Sequence, residues 1–321
     1  MIERMDPVVE AILEAATHAP SSHNTQPWHF RVKDQTVHLL ADRTRALPVN
    51  DPDDRELTIS CGCALHHLRV AAAGIGYTAT LQPLPTPADP DLLAIVELSP
   101  NGGISSAEAD LDNCIDTRRT YRKRFEPTQI ADNILDELAA AAAAEGAGFS
   151  VLSLEAQRTD AAALVAEGDA ILWHNPSWRR ELAAWMHPRR TLDGLTVPWL
   201  VAPFEQAVVR SFDMGGGVGA RDRQIADESP VLAAILSPGD SPADWLRAGQ
   251  ALSRVLLQAC LHGIQASYLN QPIQVPALRP KLQHLIGRPG FPQILLRLGY
   301  PIDEIPPTPR RHVRDLIDPL P

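Results

Sequence analysis

The residues best suited to chemistry lie in one short run, from Ala19 to Trp28, which reads Ala-Pro-Ser-Ser-His-Asn-Thr-Gln-Pro-Trp. Asn24 and Gln26 each carry a primary amide with a donor edge and an acceptor edge. The Pro-Ser-Ser turn before them supplies hydroxyls and backbone N–H groups, and Trp28 adds a large flat surface. This mixture suits a planar heterocycle with both donors and acceptors, such as the pyrimidine edge of a flavin. The alternative is a proline-capped helix end and a polar turn, with Trp28 in the core.

Arginine side chains form two basic islands in a chain that is otherwise acidic, with a net charge of −10. Planar guanidinium groups bind phosphate oxygens in a bidentate manner. In an acidic protein such islands fit one small anion better than a polyanion, and we expect no nucleic-acid partner. The alternatives are a solvated helix start and a mobile basic tail. The residues concerned are Arg118, Arg119 and Arg122 with the hydroxyl of Thr120, and Arg310 and Arg311 near the C-terminus.

Length and composition place broad limits on the protein. The 321 residues allow two ordinary units or one composite domain, and a hydrophobic content of 45% is ample for a core. No apolar run is long enough to span a bilayer, and the N-terminal sequence lacks the pattern of a signal peptide. We therefore expect a cytoplasmic protein without a membrane partner. Four cysteines in a chain this long do not indicate a disulfide framework.

Two other motifs carry weaker signals. Cys61 and Cys63, followed by His66 and His67, have types that can bind metal, but they lie on an apolar helix where free cysteines pack as small hydrophobic residues. The glycine-rich stretch 215–219 lacks the preceding strand and the Lys-Ser/Thr pair of a phosphate loop. We expect no metal, and no convincingly spaced nucleophile or metalloprotease motif is present.

The elements that must position these residues alternate between helix and strand. Asp6 and Pro7 are typical of a helix start, and Pro20 ends that helix near Ala19. The stretch 187–228 reads as irregular, which is typical of a functional loop or lid, or of disorder. The predicted helices cover about 7–19, 55–73, 106–116, 129–145, 158–173, 178–186, 245–261 and 278–286, and the predicted strands about 30–32, 37–41, 78–82, 92–98, 149–154, 231–237, 265–269 and 294–298.

One order of elements occurs twice along the chain. A strand, an acidic proline-bearing loop, a long helix, a glycine and two strands cover 37–98 and again 231–298. The pattern predicts two copies of one α/β unit, 1–112 and 113–321. The first copy has the amide-bearing turn but no arginine segment before its first helix, and the second copy has the reverse. Each copy keeps what the other has lost, which predicts one composite site per chain.

The run 19–28 resembles the APSxxNxQPW signature of FMN-dependent nitroreductase-like proteins. Members of that family are typically two-fold dimers with FMN at the subunit interface. An RRSxR-like segment and a C-terminal arginine hold the phosphate and ribityl chain, and the amide turn comes from the other subunit. Here both parts lie on one chain, as in the fused, Acg-like branch. The resemblance implies an α+β, nitroreductase-like three-layer α/β/α fold in which two degenerate repeats form an intramolecular pseudo-dimer.

The resemblance also implies which residues hold one FMN. Catalytic side chains are not required, because hydride enters and leaves at flavin N5 while the protein positions the ring. Trp28 could either support the turn or contact the ring. The implied cofactor-binding residues are Pro20, Ser21, Ser22, Asn24, Gln26, Pro27 and Trp28 on the turn, Arg118, Arg119, Thr120 and Arg122 in the arginine segment, and Arg310 and Arg311 in the tail.

Three functions remain open at this point. The first is an oxidoreductase that takes hydride from NAD(P)H and reduces nitroaromatic or quinone-like acceptors. The second is an FMN storage or sequestering protein in which 187–228 covers the ring, so that no turnover occurs. The third is a scaffold that binds no cofactor and acts as an interaction module. The chain is expected to be a monomer with internal pairing, or a weak homodimer.

Overall fold

The computed structural model describes residues 5–100, 103, 106–187, 192–196, 202–211, 213–227 and 229–318. The helices are α1 (Pro7–Thr17), α2 (Arg55–Gly74), α3 (Ser106–Ile115), α4 (Asp132–Ala144), α5 (Glu155–His174), α6 (Pro176–Ala184), α7 (Ala202–Ser211), α8 (Gly215–Asp227), α9 (Pro242–Leu261), α10 (Gln271–Gln274) and α11 (Arg279–Ile286). The strands are β1 (Trp28–Lys33), β2 (Thr36–Ala41), β3 (Tyr77–Pro83), β4 (Leu92–Pro100), β5 (Gly148–Val151), β6 (Met186–His187), β7 (Leu195–Thr196), β8 (Val231–Ser237), β9 (Gln265–Tyr268), β10 (Phe291–Gly299) and β11 (Ile317–Asp318). The predicted α+β class is confirmed.

Two antiparallel sheets have the same internal order. The first runs β1-β2-β4-β3, and the second runs β5-β8-β10-β9. In each sheet the long helix connects the second strand in the chain to the third. The first sheet gains one parallel neighbour, because β11 from the C-terminal tail pairs with β1, with Ile317 opposite Phe30. The tail of the second predicted half therefore belongs to the sheet of the first.

The long helices α2 and α9 pass each other at very short range, at Gly62 and Gly249. A methyl group on Gly62 would lie 2.9 Å from the Cα of Gly249, and one on Gly249 would lie 2.8 Å from the Cα of Gly62. Both methyl groups would also overlap a backbone carbonyl of the opposite helix, at Leu246 and Ile59 respectively. Only glycine allows this approach, which joins the two predicted halves through a continuous apolar core.

Part of the stretch 187–228 differs from its prediction as irregular. Within the described residues it forms α7 and α8, and α8 begins at Gly215 inside the glycine-rich run. A methyl group on Gly215 would lie 2.9 Å from the Cβ of Trp173, and one on Gly219 would lie 3.1 Å from the carbonyl oxygen of Ala166. These glycines let α8 lie close to α5, so tertiary packing overrides their low helix propensity. The segments 188–191 and 197–201 and the positions 212 and 228 of this predicted lid lie outside the described residues.

Other boundaries need small corrections. The predicted strand 149–154 ends at Val151, and the predicted helix 129–145 begins at Asp132. Residue 112, near which the two halves are predicted to meet, lies inside α3, and the division into halves stays a prediction. In the described part of the chain, no helix is long and apolar enough to cross a membrane.

Candidate functional site

A cavity of about 830 Å³ lies between the turn that follows α1 and the segment that follows α3. Its volume falls within the roughly 300–1,000 Å³ of small-molecule sites. Parts of α2, α5, α6, α8, α9, α10, β9 and β10 and the C-terminal tail also line it. The predicted cofactor residues that line it are Pro20, Ser21, Ser22, Asn24, Arg118, Arg119, Thr120, Arg122 and Arg310, whereas Gln26, Pro27, Trp28 and Arg311 do not.

The turn is held in an unusual backbone conformation. His23, Asn24 and Gln26 have φ angles of 49°, 54° and 50°, in the left-handed region that side chains disfavour. Each such residue costs about 1–3 kcal/mol and persists only where its surroundings fix it. Here the Ser21 hydroxyl accepts a hydrogen bond from the Gln26 N–H at 3.0 Å, and the Ser22 hydroxyl donates to Glu56 on α2 at 2.7 Å. Strain of this kind is typical of functional sites.

Asn24 lines the cavity, but its amide is already engaged by the chain. Its Nδ2 donates to the carbonyl oxygens of Pro309 at 3.2 Å and Gly194 at 3.3 Å, and its Oδ1 accepts from Arg310 at 3.0 Å. Asn24 therefore fastens the tail to the turn. Sequence spacing could not show this, because Pro309 and Arg310 lie about 285 residues further along the chain.

Gln26 is fully buried and lies behind the cavity wall. Its Nε2 donates to the carbonyl oxygen of Leu192 at 2.9 Å, and its Oε1 accepts from the backbone N–H of Arg311 at 2.8 Å. Trp28 is also fully buried, in the core cluster of β1. Trp28 therefore does not line the cavity, and which of its two roles holds stays open. The Gln26 amide is likewise engaged by the chain, and a role beside a ring stays a prediction.

Replacing Gln26 by Glu should lower the free energy of unfolding by about 2–4 kcal/mol. The carboxylate would have no proton to donate to the Leu192 carbonyl and would be buried as a charge. Urea unfolding would measure this loss. Gln82→Glu, at an exposed position of β3, is the matched control and should change stability by no more than about 0.5 kcal/mol. Equal stability of the two variants would contradict the buried amide described above.

The arginine segment is positioned by β9. The Arg119 N–H donates to the side chain of Gln265 at 2.8 Å, and the Tyr121 N–H donates to the carbonyl oxygen of Ala266 at 2.9 Å. Thr120 forms an isolated parallel bridge with the same Ala266. The segment therefore runs beside β9 as an extra edge, which directs Arg118 and its neighbours to the cavity.

Three guanidinium groups crowd one end of the cavity without an acidic partner. Arg118 is only 5% exposed, and its Nε and Nη1 have no hydrogen-bond partner. The Nε atoms of Arg119 and Arg310 are also unpartnered. Among the described residues, none of the three forms an ion pair with a carboxylate. Burial, together with the charges of Arg118 and Arg119, lowers the pKa of Arg310 to about 9. Positively charged hydrogen-bond donors without partners fit an anion with several oxygens, such as a phosphate.

Three further residues of the wall are not among the predicted cofactor-binding residues. Glu56 accepts hydrogen bonds from Ser22 of the turn and from Gln274 on α10 at 2.9 Å, so it links the two predicted halves. Tyr268, at the end of β9, has a buried and unpartnered hydroxyl. His23 has an unpartnered Nδ1, and burial lowers its pKa to about 4, so it is neutral at pH 7. No spacing pattern marks Glu56 or Tyr268 in the sequence, whereas His23 lies within the run 19–28.

The cysteines and histidines of α2 serve packing. Cys61 donates to the carbonyl oxygen of Pro27 at 3.1 Å, Cys63 donates to that of Gly249 at 3.2 Å, and His66 contacts Ser253 at 2.9 Å. Over the described residues, the structure has no group of three side chains suited to holding a metal ion.

Comparison with known proteins places the chain in a family. The model of the Nitroreductase family matches residues 6–49, which include the amide turn. The protein acg of Mycobacterium tuberculosis H37Rv, whose name proposes NAD(P)H nitroreductase activity, is 32% identical over 316 residues, covering 96% of this chain and 95% of the relative. Rv3131 of the same organism, similarly named, is 33% identical over 319 residues, covering 97% and 91%. The chain belongs to the nitroreductase family, as the resemblance predicted.

A more distant likeness is seen among solved structures. The FMN-dependent nitroreductase NfnB from Mycobacterium smegmatis, in complex with NADPH, aligns with a TM-score of 0.41 and 15% identity. The alignment covers 62% of this chain and 90% of that chain.

Proposed function

We propose that this protein is an FMN-dependent oxidoreductase that takes reducing equivalents from NAD(P)H and passes them to nitroaromatic or quinone-like acceptors. The observation that supports it most is the buried Arg118, whose Nε and Nη1 lack partners in a cavity that also contains the strained turn. A buried guanidinium without a counter-charge is costly, so its retention is best explained by a bound anion.

The residues present fit FMN. Arg118, Arg119 and Arg310 would hold the phosphate, with the hydroxyl of Thr120 beside them. The turn from Pro20 to Asn24 would lie against the ring system, where backbone groups and the neutral His23 offer hydrogen bonds. FMN, when bound, supplies hydride transfer at its N5. The chain's own task is to bind and orient the group in this cavity.

We also propose that the two halves are copies of one unit that pair about an internal pseudo-two-fold axis. The identical order of the two sheets supports this. So does the crossing of α2 and α9, since Gly62 and Gly249 are each the eighth residue of a 20-residue helix. Each glycine faces the fifth residue of the other helix, Leu246 or Ile59. Such reciprocal contacts are the property of a two-fold interface.

The reaction is tested with the purified full-length chain. The protein should be yellow, with the absorbance spectrum of a flavin, and anaerobic addition of NADH or NADPH should bleach it. Steady-state oxidation of the nicotinamide should then depend on an added acceptor such as menadione or 4-nitrobenzoate. A flavin-loaded protein that is bleached by neither nicotinamide would exclude the proposed reaction.

FMN storage without turnover remains the second candidate, and one observation favours it. Gly194, Leu195, Val218 and Asp222, all from the predicted lid 187–228, line the cavity wall. If this segment lay over one face of a bound flavin, it would prevent a nicotinamide from stacking on that face. In that case the flavin would be bound, but its reduction by NADPH would be slow compared with reduction by dithionite. The same anaerobic experiment therefore separates the two functions.

A further inference from the structure

Two carboxyl groups face the cavity beside the same glutamine. Asp169 lies on α5 and Asp222 on α8, and both line the cavity. The Nε2 of Gln271 donates to Asp169 at 3.2 Å and to Asp222 at 3.0 Å. Asp169 is only 3% exposed, and its Oδ2 has no hydrogen-bond partner. One amide thus bridges two acids and leaves a buried carboxyl oxygen without a donor.

Close backbone packing brings these groups together. A methyl group on Gly219 would lie 3.4 Å from the Cβ of Asp169, so this glycine lets α8 bring Asp222 up to Asp169. A methyl group on Gly168 would lie 2.8 Å from the Cβ of Gln271 and 2.9 Å from its backbone carbonyl carbon. Larger residues at either position would separate the acids from each other or from their shared donor. The glycine-rich stretch of α8, which the function has not explained so far, therefore helps to build this acidic pair.

The charges around the pair do not neutralise it. Arg221 and Arg297 act on Asp222 electrostatically, but neither forms an ion pair with either acid within the part of the chain that the structure describes. Arg297 donates instead to the carbonyl oxygens of Lys123 and Tyr121 at 2.9 and 3.0 Å. Burial and the neighbouring Asp222 raise the pKa of Asp169 to about 7, and burial also raises the pKa of Asp222.

We propose that Asp169 and Asp222 form a subsite for a positively charged nitrogen-donor group, such as an amidinium or ammonium, on a ligand that enters this cavity. The donor would satisfy the free Oδ2 of Asp169 and offset the repulsion between the two acids. Trp173 lies one turn along α5 from Asp169, lines the same cavity and packs edge-on against Trp178, with 5.5 Å between ring centroids. Aromatic rings beside two acids suit an aromatic cation.

Benzamidinium and benzamide test the subsite, because they have nearly the same shape and differ in charge. Calorimetric titration of the full chain, with the flavin that it retains, should show that benzamidinium binds at least tenfold more tightly than benzamide at pH 8. The preference should fall at pH 5.5, where the pair gains a proton and its net charge changes from −2 to −1. Asp169→Asn and Asp222→Asn should each reduce the preference to twofold or less.

The control variant is Glu167→Gln on the same helix. Glu167 is exposed, pairs with Lys281 and does not line the cavity, so the preference for benzamidinium should be unchanged. Equal binding of the two probes by the wild-type chain, absent binding of benzamidinium, or a preference that survives in the double variant Asp169→Asn/Asp222→Asn would each overturn the proposal. Flavin retention is read separately by absorbance, so failure of the subsite is distinguishable from failure of the proposed reaction.

Stability provides a second readout that guards against misfolding of Asp169→Asn. When folding raises the pKa of a carboxyl group, the free energy of unfolding of the protein falls as the pH rises from the unfolded pKa, about 3.9, to the folded pKa. Asn resembles the neutral acid at every pH. The variant should therefore melt at a higher temperature than wild type at pH 8 and show no such gain near pH 4. A lower melting temperature at pH 8 would contradict the uncompensated acidic pair on which the subsite depends.

Discussion

Replacing Gly249 by alanine should push α2 and α9 apart and, as a result, release the flavin from its proposed site. The added methyl group would overlap the carbonyl oxygen of Ile59 and lie 2.8 Å from the Cα of Gly62. Both are backbone atoms and cannot rotate away. Overpacking usually costs about 1–3 kcal/mol, and a clash between two helix backbones belongs at or above the upper end of that range. We therefore expect a loss of about 3 kcal/mol or more in urea unfolding, together with loss of bound flavin.

Gly217→Ala is the matched control for that change. Gly217 lies in α8, where a methyl group would meet no heavy atom within 4 Å. Alanine is the better helix former by about 0.5–1 kcal/mol, so this variant should be as stable as wild type or slightly more stable. A Gly249→Ala protein that unfolds like the control would mean that α2 and α9 do not approach as closely as described.

Removing two arginines from the anion end of the cavity should release FMN. In the variant Arg118→Ala/Arg119→Ala, the phosphate would lose charge-assisted hydrogen bonds of about 1.5–3 kcal/mol each. Two lost bonds correspond to roughly 10²–10⁴-fold weaker binding. Fluorescence titration of the flavin-free protein with FMN would measure the change. Riboflavin, which lacks the phosphate, should bind the variant and the wild type with similar affinity.

The same variant separates a binding role from a structural one. The flavin-free double variant should be no less stable than flavin-free wild type, because the substitutions remove a buried, unpartnered guanidinium and relieve repulsion of Arg310. Arg314→Ala is the control, since Arg314 is 83% exposed in the same basic tail and pairs with Glu10. Its FMN affinity should be unchanged. Undiminished FMN affinity in the double variant would show that the phosphate is held elsewhere.

Local patterns predicted much of this architecture. The helix of 55–73 was found because small apolar residues continue for five turns and end at glycines, and the observed helix is Arg55–Gly74. The amide turn and the arginine segment were recognised because their residue types are unusual at that spacing. Asn24 and Arg118 come from different predicted halves, yet both line one cavity, as a composite site requires.

The features that could not be predicted from the sequence depend on contacts between residues that lie far apart in the chain. Gln26 has an amide suited to ligand binding, but that amide is satisfied by Leu192 and Arg311, which lie 166 and 285 residues further along the chain. The helix α8 begins in a glycine run that has low intrinsic propensity, and it forms because glycine permits close contact with α5. Asp169 and Asp222 are ordinary acids in the sequence, and only the packing of α5 on α8 pairs them.

The return of the tail to the first sheet also sets an order of events during synthesis. Residues 306–310 line the cavity, and β11 pairs with β1, whose residues leave the ribosome almost 300 positions earlier. A nascent chain can therefore assemble the rest of both sheets but cannot close the pocket until residues 306–318 have been synthesised. Three of these five residues are prolines, which limit the freedom that the tail must give up when it docks. Flavin capture should accordingly follow the synthesis and docking of this segment.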